Sequence, residues 1–124
     1  MVYEGLRIFF TASPTVGANV INAINNPKIE LPFVPDHAVP VWHIFGIRCD
    51  ERDDLEKHLN DKGIATNKHY PIPIHIQECY KDLGLKEGDY PISELISKTE
   101  LSIPMYYGIT DEEISYIIDA INEY

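Results

Sequence analysis

Basic residues are scarce in this sequence. Lys and Arg number 10 against 20 Asp and Glu, for a formal charge of −10. Phosphate backbones are bound through Lys and Arg, so nucleic acid is not an expected partner. The same deficit speaks against an anionic membrane surface and against unaided tight binding of a phosphate-rich ligand, and the expected exterior is a solvated acidic one. Long apolar runs are also lacking: none approaches the ~20 residues of a membrane span. A basic leader region is absent at the N-terminus and Arg7 interrupts the short apolar stretch Leu6 to Phe10, so no signal peptide is expected. Cysteine is limited to Cys49 and Cys79, too few and too far apart for a disulfide framework. Reduced thiols, as in the cytoplasm, are the expected state. Glycines are scattered and form neither a G-x-G-x-x-G nor a Walker pattern.

What remains is ordinary globular material: 124 residues, 44% hydrophobic and 24% charged, enough for one compact domain. The first 26 residues read as irregular, with a short strand at Leu6 to Phe10 and a short helical face at Val20, Ile21 and Ile24. Pro27, Pro32, Pro35 and Pro40 then predict an extended connection, with an edge strand at Ile29 to Phe33. Val41 to Arg48 predicts a central strand, with Val41, His43, Phe45 and Ile47 on one face and Trp42, Ile44 and Gly46 on the other. Asp50 is a candidate N-cap for a three-turn helix that carries Leu55 and Leu59 and stops at Gly63.

A strand over Ile64 to His69 should follow. A helix is then expected with Ile76, Cys79, Tyr80 and Leu83 on one stripe and Gly84 as its stop. Pro91 opens a further helix facing inward through Ile92, Leu95 and Ile96. Leu101 to Ile103 is a short strand, and Thr110 with Glu113 forms a capping box for a last helix striped by Ile114, Ile117, Ile118 and Ile121. The expected fold is α/β (α+β), a small open sheet of three or four strands covered by helices on one face.

The densest polar constellation is His69, Tyr70 and His75, just past a predicted strand end. A zinc site there is disfavoured. The six-residue proline-rich run spans roughly 19 Å at about 3.1 Å per residue, which holds the two histidines apart. Lip residues of a ligand site are the functional reading of His69 and Tyr70; packing is the plain one. His43 on an apolar strand face reads as a hydrogen-bonded core histidine, and His37 and His58 carry no role. Cys49 lies beside Asp50 and Glu51, which would raise a thiol pKa, and Cys79 falls on an apolar stripe, so neither reads as a nucleophile.

Val41-Trp42-His43-Ile44-Phe45, Gly63-Ile64-Ala65-Thr66, His69-Tyr70-Pro71-Ile72-Pro73 and His75-Ile76-Gln77-Glu78-Cys79-Tyr80 occur here in that order. Gly88-Asp89-Tyr90-Pro91, Leu101-Ser102-Ile103-Pro104-Met105-Tyr106 and Thr110-Asp111-Glu112-Glu113-Ile114 follow. Together they resemble the C-terminal small domain of the DegT/DnrJ/StrS family of pyridoxal-phosphate-dependent nucleotide-sugar aminotransferases, over roughly residues 25 to 124.

The resemblance implies a small domain at 27–124, like that of the aspartate-aminotransferase fold, behind a departing segment at 1–26. Gly5, Pro14 and Gly17 stand there, where the family has a long helix. It implies substrate-side roles for His69, Tyr70 and His75, and no catalytic, cofactor-binding or metal residues in this chain. The Schiff-base lysine belongs to the family's large domain, and Lys68, within the small-domain run, is not assigned that role.

The closest pattern, H-Y-P-I-P followed by H-x-Q-x-x-Y, looks like members that make 3-amino-3,6-dideoxy sugars on a thymidine diphosphate carrier. The implied function is therefore transfer of an amino group from glutamate to a keto sugar nucleotide, a dTDP-linked 3-keto-6-deoxy hexose. The substrate would bind only together with a large domain, and the isolated chain would be inactive. Implied partners are a second copy of the chain or a complementary large-domain chain. The alternative is a non-catalytic interaction or regulatory module that keeps the small-domain fold.

Overall fold

A computed structural model of the chain describes residues 14–124; the strand expected at Leu6 to Phe10 lies outside them. Four helices and two strands follow in the order α1 (Pro14–Ala23), β1 (Phe45–Arg48), α2 (Arg52–Asp61), α3 (Pro91–Thr99), β2 (Glu100–Ile103) and α4 (Asp111–Asn122). Two short 3-10 helices, Ile74–Ile76 and Glu78–Leu83, stand between α2 and α3.

β1 and β2 pair antiparallel, with Phe45 opposite Ile103 and Gly46 opposite Ser102. Single bridges extend this ribbon on both sides, Glu30 to Arg48 and Asn67 to Ser102. The three or four expected strands are therefore two strands flanked by one-residue contacts. Pro27 and Pro32 limit the outer segment on one side, and the His69-Tyr70-Pro71 run turns away on the other. Alternation sorts the ribbon's faces. Phe45, Ile47, Leu101 and Ile103 point into the core with Leu55, Leu59, Ile117 and Ile121. Gly46, Arg48, Glu100 and Ser102 take the opposite, polar face.

The core rests on helices whose ends are well specified. Thr110 Oγ1 accepts from the Glu113 amide at 3.2 Å, and Glu113 Oε2 accepts from the Thr110 amide at 2.8 Å. This is the expected capping box, with Asp111, Glu112 and Glu113 matching the dipole. Gly63 takes φ +78° after α2 and lets the Ile64 amide reach Leu59 O at 2.9 Å, which buries Ile64. α1 is tied to the end of α4 by Asn26 Nδ2 donating to Ile121 O at 2.7 Å and the Asn25 amide donating to Asn122 Oδ1 at 2.7 Å.

Several expectations are corrected. The N-cap of α2 is Glu51, not Asp50, and it makes no side-chain cap bond. Its carboxylate is taken by Lys28 Nζ at 3.1 Å and by the Tyr124 hydroxyl at 3.3 Å. β1 begins at Phe45 rather than Val41, because Trp42 leaves the strand to pack on Phe45, ring centroids 4.7 Å apart. His43 is consequently exposed, not a core histidine.

Gly17 does not break α1. It sits where the Trp42 indole presses on the helix, and Val20 and Ile24 join the core. The stripe of Ile76, Cys79, Tyr80 and Leu83 is exposed, because extended Gln77 splits that region into two short 3-10 helices. α3 is turned the other way from expectation: Ile92 is 74% exposed while Glu94, Ser97 and Thr99 are buried.

Candidate functional site

The cause of the α3 inversion lies beside His75. The Glu94 carboxylate accepts from the Gly88 amide at 2.8 Å and the Tyr90 amide at 3.3 Å, and bonds His75 Nε2 at 2.9 Å. Three polar groups converging on one carboxylate draw that side of the helix inward. His75 is 8% exposed, with its ring 4.9 Å from that of Tyr90. It is enclosed by protein and braces the segment after Tyr70.

Burial pushes the Glu94 carboxyl upward, but the Gly88 amide, His75 and the Tyr90 amide outweigh it and hold it below the ordinary glutamate value. A depressed carboxyl contributes stability that is present above its unfolded pKa, about 4.3, and is lost as pH falls through the folded value. The melting midpoint should therefore decline on acidification below about pH 4.3, and Glu94→Gln should start lower at neutral pH and decline less. Equal acid slopes in the two proteins would contradict this.

His69 and Tyr70 lie elsewhere, on the polar face of the ribbon. Asn67 bridges to Ser102, and the chain then turns so that the His69 amide donates to Glu100 Oε2 at 2.7 Å. His69 Nδ1 bonds Ser102 Oγ at 2.8 Å, and Asn67 Nδ2 approaches His69 Nε2 at 3.2 Å. The Ser102 hydroxyl also bonds Glu100 Oε1. The His69–Tyr70 peptide is cis. Tyr70 is 65% exposed, its ring edge-on to His69 at 5.3 Å.

A cleft of about 290 Å³ opens here, walled by His43, Ile44, Thr66, Asn67, His69 and Ser102. The cleft thus joins His69 with His43, Tyr70 touches it only through the His69 ring, and His75 sits on a separate partner, Glu94. Asn67, Glu100 and Ser102 were missed from the sequence. The spacing of Glu100 and Ser102, two apart on a short strand otherwise apolar, was the available signal.

The cleft does not resemble a nucleophilic triad. Ser102 stands between the carboxylate and the imidazole, is 6% exposed, and has its hydroxyl engaged with Glu100. Cys49 is buried, and burial foremost pushes its thiol up; Cys79 is exposed, and both are free. Among the described residues no cluster of His, Cys, Asp or Glu could hold a metal ion.

His69 bonds a buried serine, so His69→Ala should cost about 1 kcal/mol, the net worth of one hydrogen bond. Tyr70→Phe should stay within about 0.5 kcal/mol, as at an ordinary surface position. Denaturant melts of the two variants check both values, and a loss of several kcal/mol at Tyr70 would place it in the core.

Residues 22–122 match the DegT/DnrJ/EryC1/StrS aminotransferase family. The chain belongs to that family. It is 39% identical over 95 residues to the erythromycin biosynthesis sensory transduction protein EryC1 of Saccharopolyspora erythraea, covering 77% of this chain and 26% of that protein. It is 36% identical over 109 residues to the dTDP-3-amino-3,6-dideoxy-alpha-D-galactopyranose transaminase of Aneurinibacillus thermoaerophilus, covering 88% of this chain and 30% of that one. Among solved structures, S. venezuelae DesV in complex with a ketimine intermediate superposes with a TM-score of 0.84 at 33% identity, covering 88% of this chain and 30% of DesV. The chain thus spans less than a third of the length of these relatives.

The DegT/DnrJ/EryC1/StrS aminotransferases use pyridoxal phosphate, which is held through a lysine amine. The residues of the cleft do not fit that group, since no lysine lines it. Lys68, the nearest in sequence to His69, is occupied: its Nζ lies 2.6 Å from Glu56 and 3.0 Å from Asp53. Those two carboxylates, Glu56 first, hold its ammonium above the ordinary lysine value, which opposes the free amine a Schiff base requires. No described helix is long and apolar enough to cross a membrane.

Proposed function

We propose that this chain supplies the substrate side of a transaminase that passes an amino group from glutamate to a keto sugar nucleotide. The substrate class is a dTDP-linked 3-keto-6-deoxy hexose, and the small domain runs over residues 27–124. The observation that carries this reading is the open cleft at His69, with the exposed Tyr70 ring beside that histidine. The residues forming it stand within the family match.

In this reading His69 and Tyr70 contact the sugar and His75 braces their segment through Glu94. The chain holds no cofactor by itself. The lysine comes from sequence outside these residues, in a longer form of the protein or in a complementary large-domain chain. The dTDP-sugar transaminase relative supports the substrate class. The reading places the chain in the cytoplasm, where thiols such as Cys49 and Cys79 stay reduced. A second reading, a non-catalytic module with the small-domain fold, is favoured by the absence of a lysine from the cleft.

A graft separates the two. Residues 22–122 replace the matching segment of a full-length dTDP-sugar transaminase, and transamination of the keto sugar nucleotide is measured. The graft should be active. His69→Ala and Tyr70→Phe within it should each lower kcat/KM by about tenfold or more, the worth of one hydrogen bond to substrate or transition state. An inactive but folded graft supports the non-catalytic module. An active graft indifferent to both changes removes the site assignment.

A further inference from the structure

The polar groups behind His69 have only one consistent arrangement of donors. Asn67 Oδ1 accepts from the Lys68 amide at 2.9 Å, so the amide group it turns to His69 Nε2, at 3.2 Å, is the donor Nδ2. Nε2 must then be an acceptor. At the other end, Glu100 Oε2 accepts from the His69 amide at 2.7 Å, and its second oxygen faces the Ser102 hydroxyl. An ionised carboxylate only accepts, so Ser102 donates its single proton to Glu100 and must accept from His69 Nδ1 at 2.8 Å. The two ends, reasoned independently, both require a proton on Nδ1 and none on Nε2. Gly46 leaves room for this arrangement: a Cβ there would lie 3.0 Å from Glu100 Oε1. Glu100 and Ser102 are both buried, which protects the chain of bonds from exchange with water.

We propose that Glu100, acting through Ser102, is a positioning residue that holds neutral His69 as its Nδ1–H tautomer, so that Nε2 meets the cleft as a hydrogen-bond acceptor. A ligand group that displaces Asn67 Nδ2 from Nε2 must then be a donor, a hydroxyl or an amino group. A phosphate or carbonyl oxygen would set lone pair against lone pair. This rests on the proposed function in one respect: for a sugar nucleotide, a donor-bearing ring such as the hexose, not the diphosphate, faces His69.

The test is the nitrogen NMR spectrum of the His69 ring in the chain itself at pH 8, where ordinary imidazoles are neutral. It needs no substrate, so it can fail while the proposed function stands, and the graft can fail while it succeeds. The wild-type ring should show Nδ1 protonated and Nε2 bare. In Glu100→Gln, the side-chain carbonyl stays on the His69 amide and the new NH2 donates to Ser102. Ser102 must then donate to Nδ1, and the two ring nitrogens should exchange their protonation states. Ser102→Ala, which removes the relay and is the milder change, should shift the ring toward the Nε2–H form that an unconstrained histidine prefers. A wild-type ring with Nε2 protonated overturns the proposal, as does a Ser102→Ala ring unchanged from wild type.

Discussion

Ile117→Ala combined with Ile121→Ala should leave much of the population unfolded at 25 °C. Ile121 is fully enclosed and Ile117 nearly so, both in the single core shared by α4, α2 and the ribbon. Each buried Ile→Ala typically costs about 2–5 kcal/mol. The two positions are one turn apart and share neighbours, so the sum is not strictly additive, but a combined loss of about 4–10 kcal/mol is comparable to the whole stability of a small domain in the lower half of the ~5–15 kcal/mol range. Circular dichroism against temperature reads the result directly. A midpoint within a few degrees of wild type would mean that the α4 stripe is not core and that the helix assignment is wrong.

Gly17→Ala should also destabilise, against its intrinsic tendency. Within a helix, replacing Gly by Ala gains about 1 kcal/mol from propensity alone. Here the new Cβ would sit 1.8 Å from Trp42 Nε1 and 2.3 Å from Cδ1. An indole ring cannot bend away, so either Trp42 or α1 must move. Overpacking of this kind typically costs about 1–3 kcal/mol or more, and since Trp42 also packs on Phe45, the displacement reaches β1. The expected net effect is a loss of about 1 kcal/mol or more once the propensity gain is subtracted. Trp42 fluorescence should shift as well. A stabilised protein with an unchanged emission spectrum would show that the contact is absent in solution.

Gly17 shows where a sequence stops being readable. As a letter in a helical window it argues for a break, because local propensity is all that a window contains. Its reason is an indole 25 residues further along the chain. The same holds for α3. Ile92, Leu95 and Ile96 form a sound amphipathic stripe, and periodicity can only say that one side is apolar, not which side faces in. The carboxylate of Glu94, gathering two loop amides and His75, decides the orientation, and those partners become neighbours only once the chain is folded.

By contrast, the capping box at Thr110, the stop at Gly63 and the stripe of α4 are local devices, and the structure shows each where the pattern places it. The family was equally legible, because ordered short motifs survive without knowledge of contacts. The candidate site was legible in half. His69 and Tyr70 stood out as a polar pair at the end of an expected strand, of which the structure forms only the single bridge at Asn67. Glu100 and Ser102 are joined to His69 only through a cross-strand arrangement that depends on register, including a glycine opposite Ser102.

Ile92 on α3 and Tyr70 are exposed, and the chain spans under a third of its relatives' length. The central claim is that these residues carry the substrate side of an aminotransferase site and not its Schiff-base lysine. It is tested most directly by mixing the purified chain with pyridoxal phosphate, recording the absorption spectrum, reducing with borohydride and mapping the labelled peptide. The account predicts no protonated-aldimine band and no stoichiometric label on any one lysine, since Lys68 is held protonated between Glu56 and Asp53 and no lysine lines the cleft. A full-strength aldimine band, fixed by borohydride to a single lysine such as Lys68, would contradict it.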